Sequence, residues 1–122
     1  MSPIITIYTQ AYNTEKYIEK CILSVLNQTL ADFEYILVDN GSTDGTKDII
    51  EKYASKDNRI RAIRLEVNQK GFWPDLIKES AKGKYFTTLD SDDWLEPTYA
   101  EELIHFAQKE NLDIAVCGSC FY

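Results

Sequence analysis

No apolar run in the sequence approaches the roughly 20 residues that span a bilayer as a helix. The N-terminal stretch MSPIITIYTQ carries no basic flank, no long apolar segment and no small-residue cleavage site. Neither a membrane span nor a secretory leader is expected. The chain reads as cytoplasmic, and any membrane association would come from a longer form of the protein. Basic residues are scarce as well: 13 Lys and Arg stand against 20 Asp and Glu, a net charge of −7. Phosphate-backbone recognition runs on clustered cations, so a nucleic-acid partner is excluded. Cysteines number three, an odd count that makes no disulfide framework. Cys117 and Cys120 in CGSC have redox or half-zinc spacing, but a lone CxxC lacks a second ligand pair or a redox fold. A strand end followed by a tail accounts for them more simply. Cys21 falls on the apolar face of a helical pattern, where free Cys packs as a small hydrophobe. The single histidine, His105, lies mid-helix in EELIHFAQKE with no triad or ligand set nearby and reads as a partly exposed packing residue. Internal repeats, low-complexity tracts and linker composition are all missing.

What is present is ordinary for one soluble domain over residues 1–122, with 44% hydrophobic and 27% charged residues. Apolar β-formers alternate with helical patterns. IITIYT (Ile4 to Thr9) is a strand, and from Glu15 to Asn27 a three-and-four spacing puts Ile18, Cys21, Ile22, Val25 and Leu26 on one face. EYILVD (Glu34 to Asp39) is a continuous buried strand. NGSTDGT is a turn able to cap a helix over Lys47 to Ser55. IRAIRL (Ile60 to Leu65) is a third strand, followed by a helix at Trp73 to Ala81, a fourth strand KYFTTLD, and a helix begun by Pro97 with Tyr99, Leu103 and Ala107 inward. LDIAVCG (Leu112 to Gly118) is a fifth strand, after which the chain stops without a closing helix, as a truncated domain would. The alternation predicts an α/β fold, a mainly parallel sheet with helices on both faces. Ligands of such sheets bind outside the carboxyl ends of the strands, where TQAYN, VDNGSTD, VNQKG and LDSDDW fall.

TLDSDDW, Thr88 to Trp94, sets three carboxylates within four positions at a strand end. Charges so close repel and raise one another's pKa unless a cation or donors compensate them. Asp90 and Asp92 alternate across the strand end, a sparse oxygen site of the kind Mg2+ or Mn2+ takes, with substrate phosphate and water completing the shell. A solvated turn capping the next helix is the competing account, and it suffices for Asp93. Asp39, at the tip of a buried strand, can accept a nucleobase proton, with Gly41 and Ser42 allowing close backbone approach. For Ser42, Thr43 and Asp44 a helix-capping turn explains as much.

The Tyr12–Asn13 turn, SVLNQT at Ser24 to Thr29, VDNGSTDGT, and the DXD pattern Asp90-Ser91-Asp92 in AKGKYFTTLDSDDW, taken in this order, resemble the N-terminal half of a family 2 glycosyltransferase of GT-A fold, over nearly the whole chain. The resemblance implies a Rossmann-like nucleotide-sugar-binding half, with a UDP-linked donor across the carboxyl edge and a saccharide or glycolipid hydroxyl as acceptor. It places Thr9, Ala11 and Tyr12 beside base and ribose and Asp39 on the base. Asn40, Lys70 and Gly71 complete the nucleotide-binding set. Asp90 falls near the ribose and metal shell, and Asp92 ligates the Mn2+ or Mg2+ that bridges the diphosphate. It further implies transfer with inversion, in service of polysaccharide biosynthesis. The general base then lies beyond residue 122, so the chain alone is expected to be inactive. Two departures stand out. Gln10 and Ala11 replace the usual Pro before the aromatic-Asn turn, and GFWPDLIKESAKG puts Pro74 and Asp75 where family members commonly carry an Arg-Asn pair. Lys70 is either a substitute charge or a solvated side chain, and Trp73 and Trp94 either stack on a ligand or form cleft wall and core. A non-catalytic nucleotide-sugar-binding module of the same fold is the first alternative. A phosphorelay receiver domain is the second, but the acidic pair, phosphoacceptor Asp and Lys it needs at its strand ends are missing.

Overall fold

The computed structural model describes residues 3–68 and 81–110. Strand β1 (Ile5–Ala11), helix α1 (Ile18–Leu26), β2 (Phe33–Asn40), α2 (Thr46–Lys56), β3 (Ile60–Leu65), β4 (Tyr85–Thr88) and α3 (Tyr99–Lys109) follow one another. The helix expected at Trp73 to Ala81 (apart from its last residue), the strand at Leu112 to Gly118, and Lys70, Gly71, Trp73, Pro74, Asp75, Cys117 and Cys120 lie outside the described residues. No described helix is long and apolar enough to cross a membrane.

The four strands form one sheet in the order β3-β2-β1-β4, and every pairing is parallel. The α/β fold class expected from the alternation therefore stands. A parallel sheet is covered on both faces, and its central strands read as near-continuous apolar runs. β2 fits this: Tyr35 through Asn40 are all buried. On one face, Ile5, Ile7, Ala11, Phe33, Tyr35 and Leu37 form a core with the inward residues of all three helices, including Ile18, Cys21, Ile22 and Val25 of α1. On the other, Tyr8, Ile36, Val38 and Phe86 form a second cluster, with Ala81 packed against it. The order of strands reverses at β1, so the loops after β1 and β4 part at the topological switch point.

The differences from expectation lie at element ends. α1 begins at Ile18 rather than Glu15, after a turn in which the Thr14 carbonyl accepts from both Tyr17 (2.9 Å) and Ile18 (2.8 Å). α3 begins at Tyr99, not Pro97. The Pro97 carbonyl is taken by the Thr29 amide at 2.8 Å instead of by the amide four residues on. The N-cap of α2 is Gly45, with no side-chain cap; Asp44, one residue earlier, closes a turn instead, its Oδ1 accepting the Thr46 amide (2.9 Å) and hydroxyl (2.6 Å). Gly41 follows β2 at φ +72°, and a Cβ there would stand 2.2 Å from the Asn68 backbone nitrogen. Only glycine meets both conditions. Gly41→Ala should therefore destabilise the fold by about 2 kcal/mol or more, as measured by urea unfolding. Gly45→Ala should change it by less than about 0.5 kcal/mol, since its Cβ would meet mainly the end of the Glu15 side chain.

Candidate functional site

Two loops at the carboxyl edge are stitched together. Asn13 takes φ +51°, a left-handed conformation that Asn tolerates better than most residues. From there its Oδ1 accepts the Thr43 amide at 2.7 Å, and its own amide donates to the Ser42 hydroxyl at 3.0 Å. The Thr14 amide donates to the Thr46 hydroxyl (2.9 Å) and the Glu15 amide to Asp44 Oδ2 (3.3 Å). Desolvation pushes the Asp44 carboxyl up, but the Thr46 hydroxyl and amide and the Glu15 amide outweigh it and hold the group below the usual carboxylate range. The loop after β1 thus has its shape set by the loop after β2.

Asp39, the penultimate residue of β2, lies beside Ala11 of β1. It is 2% exposed. Its Oδ1 accepts the Ser42 amide at 3.1 Å, whereas its Oδ2 is buried and has no hydrogen-bond partner. Among the described residues nothing satisfies this oxygen, and an unsatisfied buried carboxylate oxygen is costly. Beside it, Asn40 is buried and its carbonyl accepts from Asn68 Nδ2 at 3.1 Å. Tyr12 is exposed at the same edge, while Thr9 and Ala11 have no exposed surface. Tyr35 donates its hydroxyl proton to Thr9 Oγ1 at 2.9 Å, so Thr9 lies beneath the edge and faces the core.

Across β1, the loop after β4 carries the acids. Oxygens of Asp90, Asp92 and Asp93 all lie within 4.8 Å of one another. Asp90 and Asp92 are exposed and Asp93 is half-buried. Burial first, then the charges of Asp92 and Asp90, push the Asp93 carboxyl above its ordinary range. Among the described residues no ion pair compensates the three. This all-oxygen donor set suits a hard divalent cation such as Mg2+ or Mn2+. Asp93, expected only to cap a turn, belongs to the cluster. Its signal was its place in DSDD, which does not say whether the carboxylate turns back toward Asp90. A cavity of about 230 Å3 opens beside Asp90, between the ends of β1 and β4, lined also by Tyr8, Gln10, Thr88 and Leu89.

Two further side chains differ from expectation. Trp94 is not core but 52% exposed, with the Lys20 ammonium 3.6 Å from its ring centroid. Cys21 is more than a packing residue. Its sulfur lies 3.5 Å from the Tyr35 hydroxyl and 3.9 Å from Thr9 Oγ1, and it donates to the Asp90 carbonyl at 3.6 Å. Burial, ahead of every other influence, pushes the Cys21 thiol up to about 11 and the Tyr35 phenol well above its ordinary value.

A family model described as "Glycosyl transferase family 2" matches residues 6–121. The glycosyltransferase GlyG of Streptococcus pneumoniae is 36% identical over 118 residues, 95% of this chain and 39% of that protein. Among solved structures, Staphylococcus aureus TarS in complex with UDP-GlcNAc superposes with a TM-score of 0.79 at 29% identity, covering 88% of this chain and 32% of that one. The mannosyltransferase PcManGT of Pyrobaculum calidifontis, in complex with GDP-Man and Mn2+, shares the fold at a TM-score of 0.75 and 19% identity, over 88% and 33% of the two chains. The chain spans between about a third and two-fifths of the length of the curated relatives it matches first.

The thiol chemistry is open to a direct check. With its proton held and no exposed surface, Cys21 should resist iodoacetamide at pH 8 in the native protein and react only after denaturation, as read by peptide mass spectrometry. Native labelling of Cys21 would contradict this placement.

Proposed function

The chain belongs to glycosyl transferase family 2 and has the GT-A nucleotide-binding architecture; from that membership we propose that it is the nucleotide-sugar- and cation-binding part of an inverting glycosyltransferase. The donor is a UDP-linked sugar and the acceptor a hydroxyl of a saccharide or glycolipid. The observation that carries this reading is the buried, partnerless Oδ2 of Asp39 at the same sheet edge as the Asp90–Asp93 cluster, with only β1 between the two strands concerned. Two strand spacings, about 10 Å, give a nucleoside room to lie across β1 with its base at one end and its diphosphate at the other.

Each residue then has a task. Asp39 accepts a proton from the base, and its Oδ2 gains the partner it lacks. Tyr12, exposed at the end of β1, borders base and ribose, while Thr9 and Ala11 form the floor beneath it. Asn40 supports the base-binding end, and Lys70 and Gly71, outside the described residues, are assigned to nucleotide binding from the sequence resemblance. Asp92 and Asp90 would hold Mn2+ or Mg2+, with Asp93 close enough to share the charge. A divalent ion there supplies Lewis-acid stabilisation of the negative charge on a departing nucleoside diphosphate. The exposed acids and the edge residues bind and orient the donor. None of the described residues is assigned as general base.

Isothermal calorimetry tests both ends of the site. UDP should bind with Mn2+ and lose most of that affinity in Asp92→Ala. Equal affinity with and without the metal in the unaltered protein would refute the bridging role. Asp39→Ala should weaken UDP binding about tenfold or more with little change in melting temperature. A large loss of stability at unchanged affinity would make Asp39 a purely structural residue.

A further inference from the structure

The acidic loop is held in place by another element. Along α1 and its C-terminal extension, Cys21, Ser24 and Gln28 follow one another at three- and four-residue spacing, with Lys20 four residues before Ser24. Each touches the chain after β4, and from Cys21 onward the contacts run in sequence order. Lys20 lies over the Trp94 ring. The Cys21 thiol donates to the Asp90 carbonyl at 3.6 Å. Ser24 Oγ accepts the Leu95 amide at 3.0 Å while donating to the Cys21 carbonyl at 2.7 Å. Gln28, 7% exposed, uses its whole amide. Nε2 donates to the carbonyls of Glu96 (2.7 Å) and Ser24 (3.0 Å), and Oε1 accepts the Ala100 amide at 2.8 Å. The segment's own backbone bonds between Asp90 and Tyr99 are two, Asp93 to Asp90 and Tyr99 to Glu96.

We propose that Ser24 and Gln28 are positioning residues for the acidic loop: from α1 they fix the backbone of residues 90–100, so that Asp90, Asp92 and Asp93 stay converged before any cation arrives. This deepens the function proposed above and rests on its reading of Asp90 and Asp92 as cation ligands. Repulsion alone would splay three like charges. Side-chain hydrogen bonds to backbone groups that have no helix or strand partner oppose it, because each broken bond leaves an orphaned polar group. A site held in advance does not spend binding energy on ordering its own loop.

Ser24→Ala and Gln28→Met remove the bonds at similar volume, and Ser24→Thr restores the hydroxyl. Hydrogen exchange by mass spectrometry, UDP calorimetry with and without Mn2+, and melting temperature are measured on all three and on the unaltered protein. In Ser24→Ala and Gln28→Met, amide exchange over residues 91–99 should rise about tenfold while β1 and β2 stay protected, and the gain in UDP affinity that Mn2+ confers should fall about tenfold. Metal-free UDP affinity should be unchanged, and Ser24→Thr should restore both readouts. If Gln28→Met fails to fold, Ser24→Ala and its Thr counterpart decide the matter. Unchanged loop exchange would overturn the proposal, as would exchange rising evenly across the sheet, or a loosened loop whose Mn2+ gain is intact. If the unaltered protein gains nothing from Mn2+, the cation reading itself fails and the positioning role falls with it. Exchange would still report whether α1 holds the loop, so the two failures are distinguishable.

Discussion

Everything at the carboxyl edge answers to the mutual repulsion of three carboxylates. With oxygens within 4.8 Å of one another, each pair opposes the fold by about 1 kcal/mol even in bulk water. A loop free to relax would spread them. This chain fixes the loop at both ends instead, with β4 paired to the interior strand β1 and the start of α3 tied through Ala100 to Gln28. The sheet supplies a rigid rim, and the charge it concentrates is then available to a cation. Asp39 is the complementary case. It is one carboxylate, buried, with one oxygen satisfied by the Ser42 amide and one without a partner among the described residues. Repulsion at one place and an unmet hydrogen bond at the other both store free energy that a metal-bound nucleotide would release.

Much of this was legible in the sequence, because two periodicities dominate it. The continuous apolar run around Tyr35–Val38 could only be an interior parallel strand, and the stripe Ile18, Cys21, Ile22, Val25 could only face a core. Strand alternation then dictated where the loops gather, which located Asp39 and Asp90 at one edge before any coordinates. What could not be read was partnership over long separation. Ser24 and Leu95 are 71 positions apart, and no local rule pairs them. Cys21 illustrates the limit. Its helical position marks it correctly as buried, but burial does not say which atoms surround the sulfur. Pro97 shows the same for boundaries: its preference for a first helical turn is overridden because its carbonyl is claimed by Thr29.

The two loops after β1 and β2 divide the work differently from the acidic loop. Asn13, Thr14 and Glu15 bond to Ser42, Thr43, Asp44 and Thr46, so the edge beside Asp39 is braced loop against loop. The left-handed turn at Asn13 lets the loop after β1 approach the loop after β2, and that at Gly41 lets the end of β2 approach the backbone of Val67 and Asn68. Gln10 and Ala11, standing where a proline is usual in the family, fit this arrangement. Ala11 is still in strand register with Asp39, and the strand can therefore run to the rim without the break a proline would impose.

Beneath both ends runs a polar chain through the core: Tyr35 to Thr9, Cys21 beside both, and Cys21 to the Asp90 carbonyl. Apolar side chains of similar volume would fill the space without the cost of desolvating two hydroxyls and a thiol. A satisfied polar network has the property that apolar packing lacks, which is direction. Tyr35 can reach Thr9 only if β1 and β2 keep their register, and Cys21 can reach Asp90 only if α1 keeps its rotation. The network therefore joins the strand that carries Asp39, the strand that floors the site and the helix that holds the acids. A slip in any one of them leaves a buried polar atom unpaired, so the positions of Asp39 and of the acidic loop are fixed relative to each other from below.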